Sequence, residues 1–430
     1  MDISKVPLLR TVYFNPLNPI AIIALTGAIS TWLVSPYPMA LGLVLVFAQC
    51  AYKGSIARVF VAEPVAVLLP IFLGFVAVTW SGFDRLADCI MRLLVLASLL
   101  AGLFIAEWAS EDDVVKGLLS IRTIAITGCL FSLVFEQIGN VTLDMVSTVG
   151  YSPFQFYERY PGREFISFFG HHILLGLFLS IALAVTLFLS KNKIELISTA
   201  CLFIWGIYNS NARSAWITII LMMICAFVLW GNKMQWRIWD RLALMVIPIA
   251  VLVFICINSG YVDEILDRYS TLSNSAVDRS YSFRSEAFFY GLTAFFKHPQ
   301  WYLFGCGYWG ESSVLAYVRL GGMSDAFLTF DNGYLSLVYM YGIVGFVLFA
   351  RAIAHLFKMV LRKWSMGCAL CIISCTVVLL VQTCFFNIFG WYSSGSLIML
   401  LIGIGISDMR FKLSSQNRKN NNLLDVALQG

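Results

Sequence analysis

Charge is what this 430-residue chain has least of. Only 12% of its residues are Asp, Glu, Lys or Arg, against about a quarter in soluble globular proteins. Hydrophobic residues make up 60%, and the mean hydropathy is +0.82. An ordinary soluble domain is excluded, and a polytopic membrane protein is what remains. Alternating segments of about ten residues are also missing, which excludes a β-barrel. The apolar runs are instead roughly 17–25 residues long, the length at which a helix crosses a bilayer with its backbone groups bonded internally. The fold class is therefore all-α.

Histidine is scarce, at four residues, and the eleven cysteines follow no framework. All of the cysteines except Cys306 lie in or at the edges of apolar runs, so no disulfide scaffold is implied. Cys368, Cys371 and Cys375 share helical spacing, but no His or carboxylate stands near them, and packing is a better reading than metal. No cofactor is expected. The N-terminal segment carries Lys5 and Arg10 ahead of an apolar run and lacks a small-residue cleavage site, so it reads as a retained signal anchor. The net charge of +5 is no argument for nucleic acid; its meaning lies in where the charges sit.

Twelve spans can be placed, at about 19–35, 38–52, 65–80, 89–107, 118–138, 165–190, 194–209, 213–230, 242–258, 331–350, 366–388 and 394–409. With a cytoplasmic N-terminus, eighteen Lys and Arg fall in the inside loops. Four, namely Arg85, Arg159, Arg163 and Arg213, fall in the outside loops when the long polar segment is left out. The bias supports both the orientation and an even number of spans. Both termini are then cytoplasmic, and the polar segment 259–330, between spans nine and ten, is a periplasmic loop on the outer side of a bacterial inner membrane. The chain reads as one membrane domain over 1–430, ending in a polar cytoplasmic tail over 410–430. The acidic cluster Glu111, Asp112 and Asp113 reads as a solvated face on the cytoplasmic side. Arg92 and Arg122 fall inside spans but near their ends, where they can snorkel.

The polar residues that could do chemistry gather on the outer side, between Asn209 and Phe346. Arg213 opens the eighth span, either as a cation snorkelling to headgroups or as an anion site. Arg284 offers the same fork-shaped donor in the long loop, and two fixed arginines could hold a diphosphate without a metal. There SFRSEAFFYGLTAFFKHP predicts a helix over 282–299, with Phe288, Leu292, Phe295 and Phe296 on one face, lying along the membrane surface. Gly305, Gly307 and Gly310 follow in a turn suited to a close backbone approach, to a ligand or within a tight turn. Asp331 starts the tenth span, as an N-cap, as a general base, or as both, with Asn332 helping to orient it. His171 and His172 lie at the outer end of the sixth span, about 100° apart if helical, so at most one faces the interior. Arg159 and Arg163 sit with Tyr151, Tyr157 and Tyr160 in a second outer loop, which suits a sugar-bearing ligand and a membrane-interface belt equally.

These segments resemble the O-antigen ligase and polymerase superfamily. NARSAWITIIL resembles its arginine-bearing segment. RSEAFFYGLTAFFKHPQWYLFGCGYWGES resembles its outer loop, with an arginine, an aromatic-rich helix, a His-Pro and a glycine-rich turn. DNGYLSLVYMYGIVGF resembles the segment in which a polar pair opens a helix. The resemblance implies a GT-C-like, metal-independent membrane glycosyltransferase whose donor and acceptor are polyprenyl-diphosphate-linked glycans, and it brings in a separate chain-length regulator. It implies Arg213 and Arg284 as the diphosphate clamp and Asp331 as the residue that activates the acceptor hydroxyl. Asn332, Arg163, Arg159, His171, His172, His298 and Tyr334 stand as substrate-binding positions. Ligases carry His-Asn where this chain has Asp331-Asn332, a departure that tilts the expectation toward a surface-polysaccharide polymerase. A ligase delivering the chain to lipid A-core is the nearer alternative. A transporter or flippase of lipid-linked sugars is the more distant one, because its functional groups would gather near the midplane.

Overall fold

The apolar runs become helices. The computed structural model describes residues 13–33, 35–81, 86–144, 155–158, 165–190, 192–212, 214–220, 222, 279–308, 310, 330 and 332–407. In chain order the helices are α1 (Pro19–Leu33), α2 (Tyr37–Tyr52), α3 (Ser55–Ala62), α4 (Pro64–Ser81), α5 (Leu86–Trp108), α6 (Glu111–Phe131), α7 (His172–Leu189), α8 (Lys193–Ser210), α9 (Arg279–Lys297), α10 (Gly333–Lys363), α11 (Met366–Phe385) and α12 (Tyr392–Ile406). Among the described residues six helices are long and apolar enough to cross a membrane, or seven if α2 and α3, bent by 79°, form one span. Most expected spans match a helix to within a few residues. The span expected at 213–230 is described as helix only over 214–220 and at 222, and the one at 242–258 lies outside the described residues.

Among the described residues the architecture is helical apart from one small ribbon. In the loop after α6, β1 (Val141–Asp144) pairs antiparallel with β2 (Gln155–Glu158), aligning Val141 with Glu158. This pair falls in a loop that the all-α expectation leaves without strands.

The bundle closes through small residues, because apolar side chains gain nothing by leaving lipid for one another and backbones must approach closely instead. At the closest crossing, between α5 and α12, a methyl group on Gly102 would come 2.9 Å from the Gly403 Cα. The helices α7 and α12 are the most enclosed: every residue from Leu174 to Phe188 and from Tyr392 to Gly405 is buried.

Two faces follow from the hydrogen bonds. On one, Arg58 forms a fork with Glu107 (Nε to Oε1 and Nη2 to Oε2, both 2.8 Å), Ser365 donates its N–H to Glu111 and Lys363 donates to the Ser407 carbonyl. This is the basic face. The acidic cluster belongs here with a structural job: Ser110 and Asp113 close a capping box on α6, and Asp112 pairs with Lys116 at 2.5 Å. A solvated face was expected; carboxylates at a helix N-terminus do better against its dipole. Nor does Arg122 snorkel. It is buried and bonded to Glu195 at 2.7 Å and Ser190 at 3.0 Å.

On the opposite face α10 is broken. Gly342 has φ 66° and ψ −168°, which interrupts the ladder nine residues into the helix. Backbone groups freed inside a bilayer need partners, and the glycine-rich turn supplies them. Cys306 N–H bonds the Tyr339 carbonyl at 2.8 Å, Ile343 N–H the Tyr302 carbonyl at 2.8 Å and Val344 N–H the Leu303 carbonyl at 3.2 Å. The close approach expected of Gly305 is thus to the protein's own backbone, since a Cβ there would collide with the Tyr339 oxygen.

Helix α9 docks on the same place. Ala287, Gly291 and Phe295 are buried against Phe330, Leu335 and Tyr339, and the Tyr339 hydroxyl donates to the Gly291 carbonyl at 2.5 Å. Part of its apolar surface is thus packed on α10, while Phe289 and Tyr290 stay exposed. Phe296, placed on the same face as Phe295 from the sequence, points away and is 60% exposed.

Candidate functional site

The face opposite the basic one carries His171, His172 and Asn332, and the enclosed helix α7 is the place to start. Glu136 sits in a π-helical extension of α6 (Ser132–Ile138), where its Oε1 accepts the N–H groups of Ile166 at 3.2 Å and Ser167 at 3.1 Å. Ser167 in turn donates its hydroxyl to the Gly128 carbonyl at 2.9 Å. The turn so anchored ends at Gly170, φ 70°, and delivers His171 as the N-cap of α7. His171 is extended, φ −153° and ψ 134°, and its Nδ1 accepts the N–H of Ile173 at 3.2 Å.

That cap corrects the expectation for the two histidines. Because His171 precedes the helix, the 100° rule does not apply, and its ring stacks on His172 with centroids 4.5 Å apart. Both are half-buried. Burial, with His172 as the second cause, pushes His171 down to about 4, so it is neutral near pH 7 and carries its proton on Nε2.

The start of α10 lies next to the end of α11. Asn332, and not Asp331, is the cap: its Oδ1 accepts the Leu335 N–H at 3.0 Å, and its Nδ2 donates to the Cys384 carbonyl at 3.4 Å. Both ends of that amide therefore have a partner in the fold. Asp331 itself lies outside the described residues, as do Arg213, Arg159 and Arg163. Tyr334 is likewise committed, donating its hydroxyl to the Leu380 carbonyl at 2.9 Å.

The neighbours of Arg213 are described. Asn211 ends α8 in the left-handed region, φ 53°, and Ala212 is buried against Gly176 of α7. The Phe165 N–H bonds the Asn209 carbonyl at 3.0 Å, so the chain on either side of position 213 sits beside the His171 turn. Position 284 is seven residues, two turns, ahead of Gly291 and shares the face of α9 that meets α10. His298 follows the far end of α9, about 20 Å from position 284 along the axis. It stacks on Trp301 at 4.1 Å and is exposed, which separates it from that arginine.

Residues 197–350 match a family model described as O-antigen ligase. That segment runs from α8 into α10 and contains positions 213, 284, 331 and 332, while the His171 turn precedes it. The segment belongs to the O-antigen ligase and polymerase superfamily. No curated protein matches the chain. The matched segment and the apolar helices together support a multi-pass membrane protein.

Several residues are not marked by the sequence pattern. Glu136 is a carboxylate in FSLVFEQIGN, an otherwise apolar stretch, and an ionisable group in such a stretch is itself a signal. Arg92 is 6% exposed and lies against the Met340 thioether instead of snorkelling. Phe386 lay near the end of the span expected at 366–388, and Trp391 in the short stretch between that span and the next. They pack on His171 with ring centroids 5.7 and 5.4 Å away.

Proposed function

We propose that the protein transfers a glycan from a polyprenyl diphosphate to a hydroxyl group, at the periplasmic face of a bacterial inner membrane, within a GT-C-like bundle of twelve crossings. One observation carries the reading. The ends of α7, α8, α10, α11 and α12 that carry or flank the candidate residues meet on the face opposite the basic one, and the family segment supplies two of those five ends, those of α8 and α10. The positive-inside bias makes the basic face cytoplasmic.

In this mechanism Arg213 and Arg284 bind the diphosphate bidentately and neutralise the charge that develops on it. Asp331 takes the proton of the acceptor hydroxyl. The freed oxygen bonds to the anomeric carbon as the bond from that carbon to the diphosphate oxygen breaks, and the polyprenyl diphosphate departs with the electron pair. A single displacement inverts the anomeric configuration. The chemistry calls for charge and proton transfer and for no metal.

Polymerisation of lipid-linked repeats, with a chain-length regulator as partner, is favoured by Asp331-Asn332 at the ligase His-Asn position. Ligation is favoured by the description of the matching family model. A glycan ladder separates the two: deletion of a polymerase leaves single repeats on the lipid core, and deletion of a ligase leaves none. Transport is the weaker reading. The break at Gly342 is the kind of feature a transporter would use, but the chain's own turn fills it. Arg213→Ala and Arg284→Ala should each insert normally and abolish elongation or ligation in cells. Wild-type glycan from both variants would overturn the assignment.

A further inference from the structure

Trp391 is half-buried at the entrance to α12, and its surroundings fix where the exposed part faces. Every residue from Tyr392 to Gly405 is buried, so α12 runs through the middle of the bundle and its first turn does not border lipid. The same holds for α7 and the His171–His172 pair that opens it. A partly exposed side chain at these two helix starts therefore opens onto the face, not onto the acyl chains that surround an interface belt. On that face four rings form one patch. Trp391 stacks on Phe386 (5.8 Å, 22°), both rings reach His171 at 5.4 and 5.7 Å, and His171 stacks on His172. Phe386 is buried beneath, and its carbonyl oxygen lies 3.4 Å from where a Cβ on Gly333 would stand, which ties the patch to the start of α10.

The Trp391 ring, stacked on Phe386 at 22° and tilted 49° from His171, offers an electron-rich face with no formal charge. Phosphate has nothing to gain from it. The C–H face of a pyranose ring, apolar and slightly positive, is its complement. We propose that Trp391, backed by Phe386 and flanked by His171, is the platform on which one sugar ring of the lipid-linked glycan stacks. The proposal rests on the glycan-transfer reading and adds a subsite to it. The platform orients the sugar, while the reacting bond lies toward positions 213, 284 and 331.

The test uses the full chain in nanodiscs and lipid-linked repeats extracted from the producing cells. Trp391→Phe keeps a ring; Trp391→Leu keeps only apolar bulk. The expected result is a KM raised about tenfold for Leu, matching about 1.4 kcal/mol of lost binding, with kcat and melting temperature near wild type, and a KM within about threefold for Phe. Equal KM values for Leu and wild type would overturn the platform. A second arm needs no turnover: saturation-transfer NMR with the free repeat oligosaccharide should show contact with the wild type that Leu loses. If the wild type turns nothing over yet the sugar signal depends on Trp391, the transfer reading fails and the platform stands. No signal from the wild type would overturn the platform on its own.

Discussion

The side-chain oxygen of Asn332 accepts the backbone N–H of Leu335 at 3.0 Å, which makes Asn332 the residue that starts α10. Aspartate at 331 is thereby relieved of capping, and the two neighbours should separate cleanly under mutation. Asn332→Ala is expected to cost about 1 kcal/mol of stability, read as a lower melting temperature, with turnover reduced only in proportion to folded protein. Asp331→Ala and Asp331→Asn are expected to leave the melting temperature unchanged and to lower kcat by about a hundredfold or more, the contribution of a general base. Full activity in both Asp331 variants would remove it from the chemistry.

His171 gives the site a sign for its pH dependence. Its pKa is lowered in the folded protein to about 4 from the ordinary 6.5, so the unfolded chain binds the extra proton first. Stability is at its full value above pH 6.5 and falls as the pH drops toward 4, by up to about 3 kcal/mol. Protonation would also place a donor on Nδ1, where the Ile173 N–H needs an acceptor. Melting temperatures between pH 7.5 and 4.5 should show the decline. In His171→Asn, which keeps a capping acceptor but does not titrate, this part of the slope should disappear. An unchanged slope would assign the decline to other groups.

How much of this was legible in the chain depends on the range over which each residue's partner is found. Helix boundaries were readable because a span is a local property of twenty apolar residues, and α4, α5, α8 and α11 lie within a few residues of expectation. The cap at Asn332 was misplaced by one residue, since Asp and Asn are equally good caps and only geometry chooses between them. Glu136 was missed because its partners lie 30 and 31 residues away on a turn with no sequence signature. The glycine-rich turn was recognised as a close approach, but the surface it approaches, the broken ladder at Gly342, is 36 residues beyond Cys306 and reads in sequence as an ordinary Gly-Ile-Val-Gly helix.

The junction of that turn with α10 should be intolerant of a single methyl group. Gly342 has a positive φ, and an added Cβ would collide with the Leu303 carbonyl, which is itself bonded to the Val344 N–H. Gly342→Ala is therefore expected to destabilise the turn by about 1–3 kcal/mol and to expose Cys306, whose thiol now faces the Tyr339 carbonyl at 3.5 Å. The check is the rate at which a membrane-impermeant maleimide labels Cys306 from the outer side in an otherwise cysteine-free background. Gly367→Ala, at a position in α11 where an added Cβ would meet nothing closer than the Phe188 carbonyl at 3.5 Å, is the control. Equal labelling of both variants and of the parent would mean that the turn does not depend on the break.

Gln382 is among the buried polar side chains left unbonded in the described residues. It is 1% exposed on α11, one turn inward of Phe386, and neither its Oε1 nor its Nε2 has a hydrogen-bond partner. A buried amide left unbonded costs about 1–3 kcal/mol, whereas an apolar side chain of similar size costs nothing there. If the amide serves only packing, Gln382→Leu should melt at a higher temperature by a few degrees and keep kcat and KM within twofold. A fall in turnover without a rise in stability would reveal the opposite: that the amide finds its partner in the loaded enzyme, on a sugar hydroxyl reached past Phe386. Gln382→Glu divides the two cases further. An uncompensated carboxylate at that depth should lower stability by several kcal/mol, and only contact with a bound hydroxyl would let added substrate restore part of it.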